Sequence, residues 1–414
     1  MLEQIFKDPA AVERWRSGLL GPHLDSFVEV VSGLGYSKAS IQAQLWLLGT
    51  LQEWFERSHL GIADLDEPLL EQFLDECRRK GRLRRGEPRT LRRFLEHLRK
   101  QGVVRAQEPT IDRSPLATLQ RRYEGYLTRE RGLAPATVAR YWPFLQRFLV
   151  ERFGAGPIQL HELTPRDVVS FLLWYARPST PGMAKLTATA LRSFLRFLFQ
   201  HGEARSNLAG AIPTVPAWRL AEVPKFLKPE EVQRVVDVCD QRTPVGRRDR
   251  AVVLLLARLG LRASEVMTLD LEDIDWRAGV LTVRGKGRYH DRLPLPTEVG
   301  EALAAYLRQD RPRCATRRVF ILSRAPHRGF AHPSTVSTIV RRAVKRAGLK
   351  PALKGAHLLR HSLATGMLRR GASMAEIGEV LRHRLPNTTE IYAKVDIDGL
   401  RSLARPWPTA GGER

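Results

Sequence analysis

Val280-Leu281-Thr282-Val283, then Gly285-Lys286-Gly287, then Arg292-Leu293-Pro294-Leu295 is the stretch whose texture departs from helix. Two short apolar-studded runs around a Gly-rich turn predict a β-hairpin with Lys286 at its tip. Around it the period is helical. Upstream, Val232–Val238 and Ala251–Arg258 read as helices, the second almost wholly apolar and so buried. Gly260 is placed to end that helix. Downstream, the spacing predicts helices over Thr297–Gln309, Ser334–Gly348, His357–Arg370 and Met374–Leu381. The last third of the chain is therefore α+β, mostly helix with a small antiparallel sheet.

Toward the N-terminus the pattern is helical throughout. Residues 1–106 carry Ile41, Leu45, Leu48, Leu51 and Phe55, then Phe73 and Leu74, then Leu91, Phe94, Leu95 and Leu98 at helical spacing. Gln107–Pro115 is polar and reads as a linker. A second helical block runs from Leu116 to Leu208, its last helix over Thr187–His201. Ser206–Lys228, with Pro213, Pro216 and Pro224, is a second linker that would let two lobes close around something. Gly35-Tyr36-Ser37-Lys38-Ala39-Ser40-Ile41 lines up with Gly132-Leu133-Ala134-Pro135-Ala136-Thr137-Val138. Leu65, Phe73 and Leu74 line up with Leu163, Phe171 and Leu172, at offsets of 97 and then 98 residues. Two readings stand: a duplicated module, or two helical bundles of similar length.

The chain has 414 residues, room for two to three domains. Lys+Arg number 68 against 44 Asp+Glu, a net charge of +24, which favours a polyanionic partner, most simply nucleic acid. The excess is uneven: Arg311 to Ala375 holds 15 Lys/Arg and no Asp or Glu, as expected of phosphate-backbone contact. Cys77, Cys239 and Cys314 lie far apart and form no disulfide framework or CxxC knuckle. The N-terminal MLEQIFKDPAAVERW has no apolar core of signal-peptide length, and no apolar run approaches a bilayer span. A cytoplasmic, nucleoid-associated protein is expected, not a secreted or membrane one.

Several chemistries are excluded by spacing. Five residues separate Gly279 from Gly285, and Gly287 stands where a phosphate-binding loop needs Ser or Thr, so the Walker reading fails. There is no HExxH and no GxSxG. His357 and His361 are four apart, but no Glu or Cys accompanies them at a recognised metal spacing, so neither metal nor cofactor is expected. What remains is basic groups and one tyrosine: Arg262 just after a buried helix, Lys286 at the hairpin tip, His357 and Arg360 three apart on one face, His383, and Tyr392. Asn387-Thr388-Thr389-Glu390 reads as a helix start with Asn387 as N-cap, which puts Tyr392 in the first turns. The set is legible as phosphoryl-transfer chemistry. Arg forks match a phosphodiester's oxygens, His moves protons, Lys can protonate a leaving alkoxide, and Tyr can form a phosphoester.

In order and spacing this series resembles the tyrosine recombinase (phage integrase) family. The likeness rests on Gly260-Leu261-Arg262-x-Ser264-Glu265, Gly285-Lys286-Gly287, His357-Leu358-Leu359-Arg360-His361-Ser362-x-Ala364-Thr365 and Thr388-Thr389-x-x-Tyr392. The resemblance implies a mostly α multidomain protein. Residues 1–110 would be an accessory helical domain, 113–215 a SAM-like core-binding domain, 225–406 the catalytic domain and 407–414 a tail. It implies a site-specific DNA recombinase working without metal or ATP. Tyr392 would be the nucleophile, forming a 3′-phosphotyrosine; Arg262 and Arg360 would clamp the phosphate, and Lys286 would be the general acid. His357 would assist proton transfer, His383 would bind phosphate and Glu265 would brace the site; His361 is read as structural. Strand exchange between two duplexes implies a homotetramer on double-stranded DNA, with partner recombinases an option. The long N-terminal block points to a mobile-element integrase or transposase, the block serving arm-site DNA or another partner. Beyond Tyr392, Val395, Ile397, Leu400 and Leu403 stud a tail that packs either on a neighbouring subunit or on its own domain. The rivals are a type IB-like topoisomerase, a non-catalytic DNA-binding regulator on the same scaffold, and a metal-dependent nuclease using His357 and His361. One departure stands out: Arg382 occupies the position where the family usually has Gly, adding a backbone contact or crowding the loop.

Overall fold

Thr243 opens the helix that organises the C-terminal third. Its hydroxyl accepts the Gly246 N–H at 3.1 Å, and Pro244 follows where a missing N–H costs nothing. The helix Pro244–Arg258 buries Ala251 through Ala257 on every side. The helices Pro229–Asp237, Thr297–Gln309, Pro333–Arg346 and Ala356–Leu368 all pack against it. Gly260 ends it with φ of +59°, where Gly alone is unstrained, and a Cβ there would stand 2.7 Å from Leu381. This computed structural model describes residues 1–82, 84, 86–106, 112–154, 156–215, 223–285, 290–395 and 401.

The predicted hairpin is present. Strand β2, Val280–Arg284, pairs antiparallel with β3, His290–Pro294, in the register Leu281↔Leu293 and Val283↔Asp291. Leu281 and Val283 are buried while Thr282 and Arg284 face outward, the alternation of a one-sided strand. A two-residue strand β1, Ile274–Asp275, adds to the other edge of β2, giving the order β1-β2-β3. It is too short to show a period of two in sequence. Lys286 lies outside the described residues, as do Pro216, Ile397, Leu400 and Leu403. The predicted α-helical start at Asn387 is corrected: Pro386–Thr388 and Glu390–Val395 are 3₁₀ turns, with Asn387 inside the first.

Two compact units make up the chain, Met1–Ala106 with Val223–Arg414, and Gln107–Glu222. In the first unit Met1–Ala106 keeps a core of its own around Phe27, Leu45, Phe55, Phe73 and Phe94. The His327 N–H there donates to the Leu34 carbonyl at 2.8 Å. The second unit is helical around Leu145, Phe148, Leu172, Leu191 and Phe194. Among the described residues no helix is long and apolar enough to cross a membrane.

The order of elements recurs between the two blocks. Lys38–Arg57, the 3₁₀ turn Ile62–Asp64, Glu67–Arg79 and Glu87–Lys100 form one series. Pro135–Phe153, the turn Leu160–Glu162, Pro165–Ala176 and Pro181–Gln200 form the other. Gly35 and Gly132 both take positive φ just before the first helix of each series, and Gly102 and Gly202 do so just after the last. Buried Leu91, Phe94, Leu95 and Leu98 recur as buried Leu191, Phe194, Leu195 and Leu198.

Because each block has its own core, each can be loosened separately. Phe94→Ala and Phe194→Ala are each expected to cost about 3–5 kcal/mol. In hydrogen exchange Phe94→Ala should deprotect Glu87–Lys100 and leave Pro181–Gln200 unchanged, and Phe194→Ala should do the reverse.

Candidate active site

Arg262 stands two residues beyond Gly260, at the N-cap of the helix Ala263–Thr268. Three residues on, Glu265 closes a capping box. Its Oε2 accepts the Arg262 backbone N–H at 2.8 Å and its Oε1 accepts Arg262 Nη1 at 2.7 Å. The carboxylate is buried, while the arginine keeps about a third of its side chain exposed, at 34%. A group fixed at one end and open at the other suits recognition of an anion.

Arg360 comes from the helix Ala356–Leu368 and is buried. Its two Nη atoms donate to the carbonyls of Gly260 and Leu381, tying the end of the central helix to the loop after Met374–Val380. Burial, with Arg262 and Arg382 alongside, pushes its pKa down to about 10, so it remains a cation at neutral pH.

The predicted departure at Arg382 has a definite outcome. Arg382 takes φ of +54°, a left-handed conformation that a side chain adopts at a cost of about 1–2 kcal/mol. Its guanidinium is buried rather than crowding outward. Nη2 donates to Glu265 Oε2 at 2.8 Å, and Nη1 donates to the carbonyls of Val380 at 3.1 Å and Leu259 at 3.3 Å. Glu265 therefore serves two arginines. Burial alone would raise its pKa; the charge of Arg382 and the N–H groups of Arg262 outweigh burial and hold it below the usual carboxylate range.

Three imidazoles border this cluster. His383 Nδ1 lies 2.8 Å from Thr389 Oγ1, and burial together with Arg360 and Arg262 pushes its pKa down to about 4. Burial and the same two arginines lower His357. His361 falls to about 4 through burial, His357 and Arg360. Its Nδ1 lies 2.9 Å from Tyr392 Oη. Tyr392 is buried in the turn Glu390–Val395, and burial raises its phenol to about 12 against the pull of Arg360.

Six of the sequence-predicted residues, Arg262, Glu265, His357, Arg360, His383 and Tyr392, thus fall in one neighbourhood; Lys286 lies outside the described residues. Of the two outcomes the sequence allows Arg382, the structure shows the contact to backbone, and adds the pair with Glu265 that the sequence does not reveal. His361, read from sequence as structural, also meets Tyr392, a contact not legible in its spacing of four from His357 on one helix face. Among the described residues no group of three or more His, Cys, Asp or Glu stands where it could hold a metal ion.

Residues 225–398 match the phage integrase family, and residues 121–202 match the phage integrase N-terminal SAM-like domain. A protein of Sinorhizobium fredii designated integrase/recombinase y4rA is 43% identical over 401 residues, covering 96% of this chain and 97% of that one. Tyrosine recombinase XerC of Oceanobacillus iheyensis is 33% identical over 301 residues, covering 70% and 95%. Two solved structures share the fold. XerH site-specific recombinase bound to its palindromic difH substrate, a post-cleavage complex, aligns with a TM-score of 0.55 at 18% identity over 75% of this chain and 93% of that one. A lambda integrase dimer bound to a COC′ core site aligns at 0.52 and 18%, over 72% and 99%.

The buried Glu265–Arg382 pair can be tested by stability. Arg382→Ala takes one of two arginines from a buried carboxylate and is expected to cost about 2–3 kcal/mol at pH 7 by urea unfolding. Because the folded-state pKa of Glu265 is depressed, its ionisation stabilises the fold above the unfolded value of about 4.3 and ceases to as pH falls through the folded value. The cost of Arg382→Ala should therefore shrink below about pH 4. Arg382→Gly, which relieves the left-handed strain, should be milder by about 1 kcal/mol.

Proposed function

The chain belongs to the phage integrase family, the tyrosine recombinases, and from that premise we propose how this site-specific DNA recombinase divides the chemistry among its residues. Tyr392 Oη attacks the scissile phosphorus, the bond to the 5′-oxygen breaks, and a 3′-phosphotyrosine remains beside a free 5′-hydroxyl. Arg262 and Arg360 hold the non-bridging oxygens, where negative charge gathers in the transition state. Glu265 keeps Arg262 in place. His383 adds a hydrogen bond to the phosphate and His357 assists proton transfer. Lys286, on the sequence pattern, protonates the leaving oxygen. A phosphoester is exchanged for a phosphoester, so the balance needs no ATP.

The observation that carries this reading is the charge of the cluster. Three guanidiniums, Arg262, Arg360 and Arg382, surround one carboxylate, Glu265, with neutral histidines beside them. Such a site is completed by an anion, and the phenol that would attack it reaches the same cluster through Arg360. The match to an integrase/recombinase over nearly the whole chain favours strand exchange over relaxation of a single duplex or a purely regulatory role.

The finer reading is a homotetramer on two DNA sites, serving the integration or transposition of a mobile element. The recurrent order of helices supports reading residues 1–106 as a second copy of the SAM-like module, next to which a cleft is lined by Arg82, Arg84, Arg89, Arg92, Arg93 and Arg328. On that reading the cleft meets duplex phosphates beyond those bound by the core.

Two experiments test these statements. Nicked duplexes tiled across the DNA flanking the gene should give, in EDTA, a covalent adduct on a denaturing gel. Tyr392→Phe should lose the adduct and still shift the same DNA on a native gel; an adduct that survives would name another nucleophile. For the cleft, the triple change Arg89→Ala, Arg92→Ala, Arg93→Ala should flatten the dependence of log Kobs on log salt by about 2–3 on a mixed-sequence duplex. An unchanged slope would remove the cleft from the DNA path.

A further inference from the structure

We propose that His361 is a further catalytic residue, whose Nδ1 accepts the phenolic proton of Tyr392 as the oxygen attacks phosphorus. The proposal rests on Tyr392 being the nucleophile and goes beyond it, because neither the sequence pattern nor the phosphate clamp assigns the proton's destination to His361.

The geometry carries the assignment. His361 Nδ1 is the hydrogen-bond partner of Tyr392 Oη, at 2.9 Å, and the two rings meet edge to face with centroids 5.6 Å apart. The other two imidazoles are placed differently. His383 Nδ1 is engaged by Thr389 Oγ1, and the His357 ring stands one helical turn from His361 with centroids 6.2 Å apart. A base must be within hydrogen-bond reach of the proton it takes, and of the three imidazoles His361 satisfies that.

The surroundings keep the nitrogen available. His361 is faced by His357 and Arg360 from its own helix, by His383 from the loop after Met374–Val380, and by Tyr392 from the 3₁₀ turn. Burial first, and then His357 and the charge of Arg360, keep the imidazole unprotonated, which a proton acceptor requires. A phosphodiester entering among Arg262 and Arg360 brings negative charge that strengthens the imidazole as a base, while the phenol oxygen loses basicity as it bonds phosphorus.

The step balances. The Tyr392 O–H proton passes to His361 Nδ1, the Tyr392 O–P bond forms and the P–O5′ bond breaks. The 5′-oxygen takes a proton from the general acid. On rejoining, the 5′-hydroxyl attacks, and the proton on His361 returns to the phenolate. The scheme requires the resting tautomer with hydrogen on Nε2 and a bare Nδ1.

The test uses the full-length protein and the duplex that gives a Tyr392-dependent adduct, made with a 5′-bridging phosphorothiolate. A thiolate leaves without an acid, so the measured rate isolates the attack. His361→Ala should slow single-turnover adduct formation about 10²–10³-fold at pH 7. Its rate should climb with pH between 6 and 9 as the phenol ionises unaided, where the native enzyme is nearly flat. His361→Gln, which keeps a hydrogen bond to Tyr392 and preserves packing but cannot take a proton, should show the same loss with unchanged DNA affinity. A rate within threefold of native for both variants, with the native pH profile, would overturn the proposal. A DNA-free arm guards against confusion with the nucleophile assignment. Long-range ¹⁵N–¹H spectra of the histidines, with His361→Gln for assignment, should show His361 protonated at Nε2, and a proton on Nδ1 would overturn it. If the adduct instead survives Tyr392→Phe, the nucleophile reading falls, and the tautomer still decides whether Nδ1 can accept.

Discussion

One buried carboxylate sets the geometry of the catalytic end of this protein. Glu265 accepts from Arg262 on one side and Arg382 on the other, and it lies within three residues of the turn that ends the central helix. A carboxylate removed from water is costly unless its oxygens are filled, and here both are filled by charged donors. The two arginines come from segments 120 residues apart in the chain, so the pairing fixes the loop 380–383 against the turn 259–262. Arg360 binds carbonyls of the same two segments. The arginines proposed to hold phosphate are therefore positioned by a network that is in place before any substrate arrives, with Arg382 Nε its one buried nitrogen without a hydrogen-bond partner among the described residues. That is the condition under which oriented charge is most effective.

The same network explains the strain at Arg382. A left-handed conformation at a residue with a side chain is unfavourable, and Gly would adopt it freely. The chain instead keeps an arginine there and recovers the cost through the Glu265 pair and two carbonyl contacts. The additional cation lowers Arg360 and His383 alike.

Much of this was legible in sequence, and the parts that were not share a cause. The hairpin and the helices around it follow from local period and turn residues, which nearest neighbours determine. Arg262, Glu265, His357, Arg360, His383 and Tyr392 could be picked out because their flanking words carry a family pattern. Strand β1 is two residues long and exists by pairing with β2, so no local period marks it. The 3₁₀ turn bearing Tyr392 reads as an α-helix locally because capping residues favour both. The direction of the Arg382 side chain depends on Glu265, far away in sequence, and the role open to His361 depends on where Tyr392 lands. The recurrence at residues 91–98 and 191–198 falls at an offset of 100, not the 97 and 98 of the earlier helices, because Pro181–Gln200 begins further ahead of these residues than Glu87–Lys100 does, which outweighs its shorter preceding connection.

On the proposed roles, the resting site is held inactive by the same charges that later drive it. Tyr392 is buried and its phenol raised to about 12, so it carries its proton. His361 and His383 beside it are neutral first because they are buried, and then because Arg360, and for His383 also Arg262 and Arg382, stand near them. The imidazole nitrogen is free to accept, but a base this weak beside a phenol this high takes no proton while the cluster is without an anion. A phosphodiester changes both terms at once: its charge offsets the guanidiniums, which raises the basicity of the histidines, and its phosphorus gives the phenol oxygen a partner that lowers the cost of losing the proton. Binding and activation are then one electrostatic event, and the specificity for phosphate follows from the charge the protein leaves unbalanced.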